Sequence, residues 1–372
     1  MKVLQIVRQY RPCIGGLENF VYELATHLKQ NGVTSDVLTI DEDFVSGEKL
    51  PAHSVEDGIT VTRIPYKGSK RYPLATSVLQ YVHDYDLIHV HAVDFFIDYL
   101  SLFKYRYKKP VVLSTHGGFF HTKKQQTLKK MYFNTITRAT LKNVDAVVAC
   151  SENDYETFRA IMPDHLHLIE NGINFSEFST ISAKRCHKNN LMFVGRFSQN
   201  KRVDRLLLLM KRLKPDFPDL RLKIAGRDFD NLRGTYDRLS REYGIEDNVT
   251  IRESLSQEAL LTELADSQYF ISASEYEGFG LSALEAMAAG RIPFLSNIPS
   301  FQKMIDDGRN GFILDFEQID EVQRTVTDVL RMPHKEGLIG NAIRTAERYS
   351  WSSVVKQFIA LYDDVLRGRA VR

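Results

Sequence analysis

Short apolar runs, each leading through a polar turn into a helix-length stretch, recur from one end of this chain to the other. That rhythm restricts the folds open to it more than any other feature. The first runs are Lys2–Val7, Asp36–Ile40, Ile59–Ile64, Leu87–Val90, Val111–Thr115 and Ala146–Cys150. Leu191–Gly195, Arg221–Ala225, Val249–Arg252, Gln268–Ala273 and Ile292–Leu295 continue the series. Such runs read as buried strands. After the first, Phe20, Val21, Leu24, Ala25 and Leu28 recur at three- and four-residue steps, the stripe of an amphipathic helix. Strands alternating with helices predict an α/β architecture of doubly wound sheets. A chain of 372 residues then divides most naturally into two domains.

The apolar content of 43% supports full cores, and a net charge of +2 gives no bulk electrostatic argument for nucleic acid. No apolar run approaches the ~18 residues a membrane-crossing helix needs. The opening Met1–Val7 is broken too soon by Arg8 to read as a signal peptide. Cys13, Cys150 and Cys186 are odd in number and widely spaced, so neither a zinc pattern nor a disulfide framework follows, and a reducing, cytoplasmic setting fits.

The richest stretch is Ser272–Gly290. An apolar strand runs into Glu277-Gly278-Phe279-Gly280, and a helix rich in Leu, Ala and Met follows from Leu281, with Gly290 placed to close it. A tight glycine turn feeding the free amides of a helix start can hold anions and sugar oxygens with backbone alone. Glu277 in the turn and Glu285 in the helix are carboxylates, acceptors only, and suit a ligand with many hydroxyl donors. This run closely resembles the E-x7-E signature of retaining glycosyltransferases with the GT-B fold, specifically glycosyltransferase family 4. The resemblance implies that Glu277 meets the donor sugar, that Glu285 meets the nucleotide ribose, and that the turn from Gly278 through the amides of Phe279, Gly280 and Leu281 meets sugar and phosphate. It also implies two Rossmann-like domains facing each other across a cleft. These are expected at 1–175 and 176–351, with a terminal helix inside 352–372 crossing back to the first. Phe175–Asn190 is polar and reads as the irregular connection.

Other segments fit the same family. Gly195-Arg196 and Lys201 bracket a strand-to-helix turn, where fixed cations would stabilise a departing diphosphate more in the transition state than before it. The family pattern G-R-x-x-x-x-K matches there. Gly15-Gly16 resembles the glycine loop that closes over the donor phosphates, although no complete G-x-G-x-x-G is present. His116, in Thr115-His116-Gly117, takes the place of a histidine that faces the donor sugar. Arg227 and Leu255, after two further strands, are candidates for the nucleotide base, as is Asp228. Asn171-Gly172-Ile173-Asn174 resembles the family's linker, with Asn174 where an Asp is usual. His89 and His91 read as structural or acceptor-side histidines, since no third metal ligand stands at a suitable spacing.

Asp41-Glu42-Asp43, Asp84-Tyr85-Asp86 and Asp228-Phe229-Asp230 match D-x-D, yet none lies in a phosphate turn. No metal and no cofactor is expected, cations and helix amides serving instead. No carboxylate stands out as a nucleophile, so front-face attack fits better than double displacement. The resemblance extends to GDP-mannose-dependent α-mannosyltransferases that extend polyprenyl-diphosphate-linked oligosaccharides in exopolysaccharide assembly. UDP-glucose or UDP-N-acetylglucosamine is the alternative donor. A nicotinamide oxidoreductase and a non-catalytic sugar-binding module are the alternatives of other classes. Two basic aromatic segments, Phe103–Lys109 and Lys123–Phe133, suggest peripheral contact with an anionic membrane surface on the inner, cytoplasmic face. The expected partners are therefore a nucleotide sugar, a lipid-linked acceptor and that surface, with no nucleic acid.

Overall fold

A computed structural model describes residues 1–13, 15–117, 131–162, 164–182 and 189–368. The chain forms two compact units, Met1–Gly172 with Trp351–Arg372, and Ile173–Ser350. The division thus falls after Gly172, three residues before the one expected from sequence.

In the first unit β1 (Lys2–Ile6) leads into α1 (Gly16–Gln30) and β2 (Thr34–Ile40). Then come β3 (His53–Glu56), β4 (Ile59–Ile64), a small hairpin of β5 (Lys67–Ser69) and β6 (Tyr72–Leu74), and β7 (Leu87–His91). After α2 (Phe95–Tyr107) and β8 (Val111–Ser114) come α3 (Arg138–Leu141), β9 (Ala146–Ala149), α4 (Glu152–Arg159) and β10 (Leu166–Leu168). The main sheet has the order β10-β9-β8-β7-β1-β2-β4-β3. It is parallel except for β3, which pairs antiparallel with β4 at the edge. Neither β3 nor the hairpin was signalled by sequence, because both are short and mostly polar, with β3 half exposed.

The second unit opens with α5 (Phe175–Ser179), followed by β11 (Leu191–Val194), α6 (Val203–Leu213), β12 (Leu222–Gly226) and α7 (Arg233–Glu242). Next are β13 (Val249–Glu253), α8 (Gln257–Ala265), β14 (Tyr269–Ser272) and α9 (Leu281–Ala288). β15 (Ile292–Ser296), α10 (Pro299–Met304), β16 (Phe312–Leu314), α11 (Ile319–Arg331) and α12 (Glu336–Arg348) complete it. The sheet order is β13-β12-β11-β14-β15-β16, and every pairing is parallel. The expected irregular connection is partly helical. Phe178 and Ile181 are buried against Met192, Ala286 and Ala289, so the start of that segment belongs to this core. Burying each such side chain contributes about 1.5–3 kcal/mol, enough to order a five-residue helix that would not form alone.

The last helix, α13 (Trp351–Leu366), belongs to the first unit. Its Trp351, Val354, Val355, Phe358, Leu361 and Val365 pack with Val21, Leu24 and Leu28 of α1 over one face of the sheet. Strand alternation assigns the faces: Val3 and Val7 point to this layer, while Leu4 and Ile6 point to the opposite one under α2. Among the described residues no helix is long and apolar enough to cross a membrane.

Candidate functional site

In each sheet the order of strands reverses at one place. The second unit runs outward from β11 to β12 and β13, then returns to place β14 on the other side of β11. Ligands in open parallel sheets bind beyond the carboxyl ends of the two strands at such a switch point. The turns leaving β11 and β14 are those that carry Arg196, Lys201 and Glu277.

These two turns are tied together. Lys201 Nζ lies 2.5 Å from Glu277 Oε1, and Ser274 Oγ donates to the same oxygen at 2.8 Å. Asn200 Nδ2 donates to the Tyr276 carbonyl at 3.1 Å, and the Glu275 amide to the Asn200 carbonyl at 2.8 Å. Lys201 is only 9% exposed, so its charge depends on Glu277 for compensation. Glu277 Oε1 is thus occupied, whereas Oε2 has no hydrogen-bond partner among the described residues. Gly278 is exposed, with nothing within 4 Å of where a Cβ would stand. Gly280 sits at φ +97, in the left-handed region, and an added Cβ would come 2.8 Å from the Phe301 ring. The half-buried Phe279 ring packs edge-on to Tyr349, and the exposed Leu281 opens α9. A close backbone approach also joins β11 to β12. A Cβ on Gly226 would meet the Gly195 carbonyl oxygen at 1.8 Å.

Arg196 is exposed and lies over the Phe229 ring, 5.2 Å to the centroid. Among the described residues it forms no ion pair. Arg227 is likewise exposed just beyond β12, and Leu255 is half-buried after β13. Arg196, Lys201, Arg227 and Glu277 therefore share the carboxyl edge of one sheet. Glu285 lies on α9 opposite α5, half-buried, and its carboxyl is pushed up to about 7 by burial, with the nearby Glu177 adding to the shift. Glu177, Ser274 and Asn200 escaped the sequence reading. Ser274 and Asn200 act through partners 3 and 76 residues away, the latter separation carrying no local signal.

The first unit has its own switch point, between β1 and β7. Arg8, just beyond β1, lies with Nε 3.0 Å from Asp94 Oδ2. Asp94 caps α2 through the Phe96 amide, and burial raises its carboxyl to about 7 against the pull of Arg8. Gly15 is extended at φ −165 and Gly16 is the first residue of α1. His116 follows β8 at φ +54, a conformation costing a non-glycine residue roughly 1–2 kcal/mol. Asp154 Oδ2 holds this turn by accepting from Thr115 Oγ1 at 2.9 Å and the Gly117 amide at 2.7 Å. The His116 ring faces inward. Its Nε2 is 2.9 Å from His91 Nδ1, and its Nδ1 is 3.5 Å from Cys150 Sγ. Burial holds its pKa down to about 3, so the ring is neutral. His89 and His91 are fully buried and hydrogen-bonded at both nitrogens, which makes them internal to the unit.

The D-x-D carboxylates other than the exposed Asp84 have structural partners. Asp41 and Glu42 pair with Lys49, Asp43 accepts the Val45 amide, Asp86 accepts the Lys2 amide, Asp228 accepts the Leu232 and Arg233 amides, and Asp230 accepts the Gln199 amide. Among the described residues no three His, Cys, Asp or Glu side chains gather as metal ligands. On α2, Leu102 and Tyr105 are 66% and 68% exposed, and Met131 and Ile136 on the neighbouring helical segment are 59% and 48% exposed. Arg106, Lys108, Arg138 and Lys142, on or just beyond the same segments, are exposed, whereas Lys104 is taken up by Asp145. Residues 123–130 of the second basic segment, with Cys186, lie outside the described residues.

Residues 174–345 match the family described as Glycosyl transferases group 1, and residues 14–177 match Glycosyltransferase Family 4. The GDP-mannose:cellobiosyl-diphosphopolyprenol alpha-mannosyltransferase of Xanthomonas oryzae pv. oryzae is 38% identical over 375 residues, spanning 98% of this chain and 97% of that protein. The protein of the same name from Komagataeibacter xylinus is 37% identical, spanning 100% and 95%. Among solved structures, sucrose-phosphate synthase from Thermosynechococcus elongatus superimposes with a TM-score of 0.74 at 19% identity, over 99% of both chains. Anabaena HepE in complex with UDP gives 0.76 at 16% identity, over 98% and 100%.

Proposed function

The chain belongs to the glycosyltransferases of the GT-B fold that include these mannosyltransferases, and on that footing we propose that it moves α-mannose from GDP-mannose, with retention, onto a polyprenyl-diphosphate-linked oligosaccharide. It is an enzyme, which sets aside the oxidoreductase and the non-catalytic module. One observation carries the mechanism: Lys201 and Glu277 meet at the switch point of the second sheet, joining the cationic turn to the glycine turn.

Charge grows on the diphosphate as the bond to the sugar breaks. Arg196, exposed and without an ion pair among the described residues, can take a bidentate position on it, while Lys201 contributes a fixed charge held by Glu277. The Glu277 oxygen that Lys201 leaves free accepts a sugar hydroxyl, and Glu285 accepts from the ribose. The leaving phosphate oxygen takes the acceptor proton on the same face, so no protein nucleophile is required. We assign no resident metal or cofactor. The exposed Leu102, Tyr105, Met131 and Ile136, with exposed cations on or just beyond the same segments, support a peripheral, cytoplasmic-side contact with anionic lipid, where the acceptor resides.

The test is direct. Purified protein is given a synthetic lipid-diphosphate disaccharide and, in turn, GDP-mannose, UDP-glucose and UDP-N-acetylglucosamine. Transfer from GDP-mannose alone, with an α-linkage by NMR, is expected. Transfer only from a UDP sugar would refute the donor, and a β-linkage would refute retention.

A further inference from the structure

Arg196 leaves β11 at the carboxyl edge of the second sheet, and the segment that follows β12 runs beside it. Pairing between the two continues past the ends of the strands. The Phe197 amide donates to the Arg227 carbonyl at 2.8 Å, and the Phe229 and Asp230 amides both donate to the Phe197 carbonyl at 3.1 Å. Asp228 accepts from the Leu232 and Arg233 amides at the start of α7, and Asp230 accepts from the Gln199 amide in the turn that carries Lys201. The backbone of Phe229 is therefore fixed against the cationic turn without help from its side chain.

The Phe229 ring is 63% exposed, so burial contributes little to its placement. Its ring contact is with the Arg196 guanidinium, whose central carbon lies 5.2 Å from the ring centroid, inside the range of cation–π attraction. Asp228 and Asp230, the acids on either side of Phe229, are engaged by backbone amides, and neither pairs with Arg196. Arg202, in the same turn, shows the alternative. Its Nε and one terminal nitrogen donate to Asp204 and its other terminal nitrogen to Glu275, which neutralise it. A ring face attracts a guanidinium without using an N–H donor or cancelling the charge. Arg196 thus keeps its donors and its charge for a ligand, while its rotamer freedom is already reduced.

We propose that Phe229 is a positioning residue for the transfer, its ring holding the Arg196 guanidinium in place beyond β11 before the donor arrives. The cation then needs less reorganisation as charge grows on the leaving diphosphate. This rests on the reading that Arg196 meets that diphosphate. Phe229 acts through Arg196 and touches no reacting atom.

Phe229→Leu keeps an apolar side chain but has no π-face, and Phe229→Trp keeps a ring that attracts cations more strongly. A cation–π contact at an exposed site corresponds to about a two- to fivefold effect on rate. Phe229→Leu should therefore lower kcat by about two- to fivefold, with KM for the sugar nucleotide and the melting temperature little changed, and Phe229→Trp should retain the wild-type kcat. In an Arg196→Ala background, Phe229→Leu should lower kcat no further. Proton NMR should place the Arg196 δ protons upfield through the ring current, and Phe229→Leu should return them. A normal kcat in Phe229→Leu would overturn the proposal, as would a loss confined to KM or an equal loss in the Trp variant. The same loss in the Arg196→Ala background would show the ring acting on the ligand directly, and would overturn it too. A normal kcat in Arg196→Ala alone would instead refute the underlying reading of Arg196.

Discussion

Removing the Glu277 carboxylate by Glu277→Ala strands the Lys201 ammonium, which is 9% exposed and has its carboxylate partner at 2.5 Å. Breaking a fully buried pair costs about 3–5 kcal/mol, and the open side of the turn at Gly278 lowers this to about 2–3 kcal/mol. In a unit of this size that corresponds to a fall of about 4–10 °C in the transition of the second unit. Calorimetry of wild type, Glu277→Ala, Lys201→Met and the double variant measures the coupling directly. The double variant, which buries no unpaired charge, should regain at least half of the stability lost by Glu277→Ala. Transfer should stay at least about tenfold down in kcat/KM in all three variants, because the sugar or phosphate contact is still missing. Equal destabilisation of the single alanine variant and the double variant would show that the pair does not join the two turns. Normal transfer by the double variant would remove both residues from the chemistry.

Arg196→Ala should lower kcat by about tenfold or more with little change in melting temperature, because the side chain is exposed and pairs with no acid among the described residues; a large thermal shift would contradict this. Glu285, raised to about 7 in the folded protein, holds its proton there after the unfolded chain has lost it, so stability should fall as pH rises from about 4.5 to 7. Glu285→Gln should flatten that slope, gain about 1–3 kcal/mol at pH 8, and weaken the free nucleotide above pH 7; urea titrations and calorimetry across that range decide it. Activity should survive excess chelator, and complete loss rescued by Mg²⁺ or Mn²⁺ would reassign the phosphate site. Anionic vesicles should sediment the protein at low salt, and Leu102→Ser with Tyr105→Ser should release it; sedimentation unchanged by the pair would move the contact elsewhere.

Most strands, and the helices that begin at Gly16, Val203, Leu281 and Trp351, were legible because buried parallel strands and amphipathic helices announce themselves locally, within about 5–15 residues. Ile59–Ile64 falls on β4 to the residue. The edge strand β3 and the hairpin at 67–74 were not, since short and mostly polar strands carry no such pattern. The turn at 277–280 was legible as a ligand turn from its glycines. What joins it to Lys201 was not, because a contact across 76 residues is fixed by the order of strands in the sheet. The same holds for His116. Its sequence neighbours suggest a residue facing a ligand, whereas its ring nitrogens are set by His91 and Cys150, 25 and 34 residues away.

The return of α13 to the first unit has a consequence for how the protein is made. A ribosome completes the first 172 residues long before it reaches Trp351, so the nascent first unit has a bare apolar stripe along Val21, Leu24 and Leu28 for the whole time the second unit is being synthesised. At roughly 5–20 residues per second that interval is on the order of ten seconds or more, ample for the second unit, whose residues 173–350 are continuous, to fold beside an unfinished neighbour. Tyr362, whose hydroxyl closes the hydrogen bond to His89, emerges only after the whole second unit. The buried histidine layer therefore cannot be completed before the second unit has been synthesised, and a chain that stops short of Tyr362 would leave a polar group there unpaired.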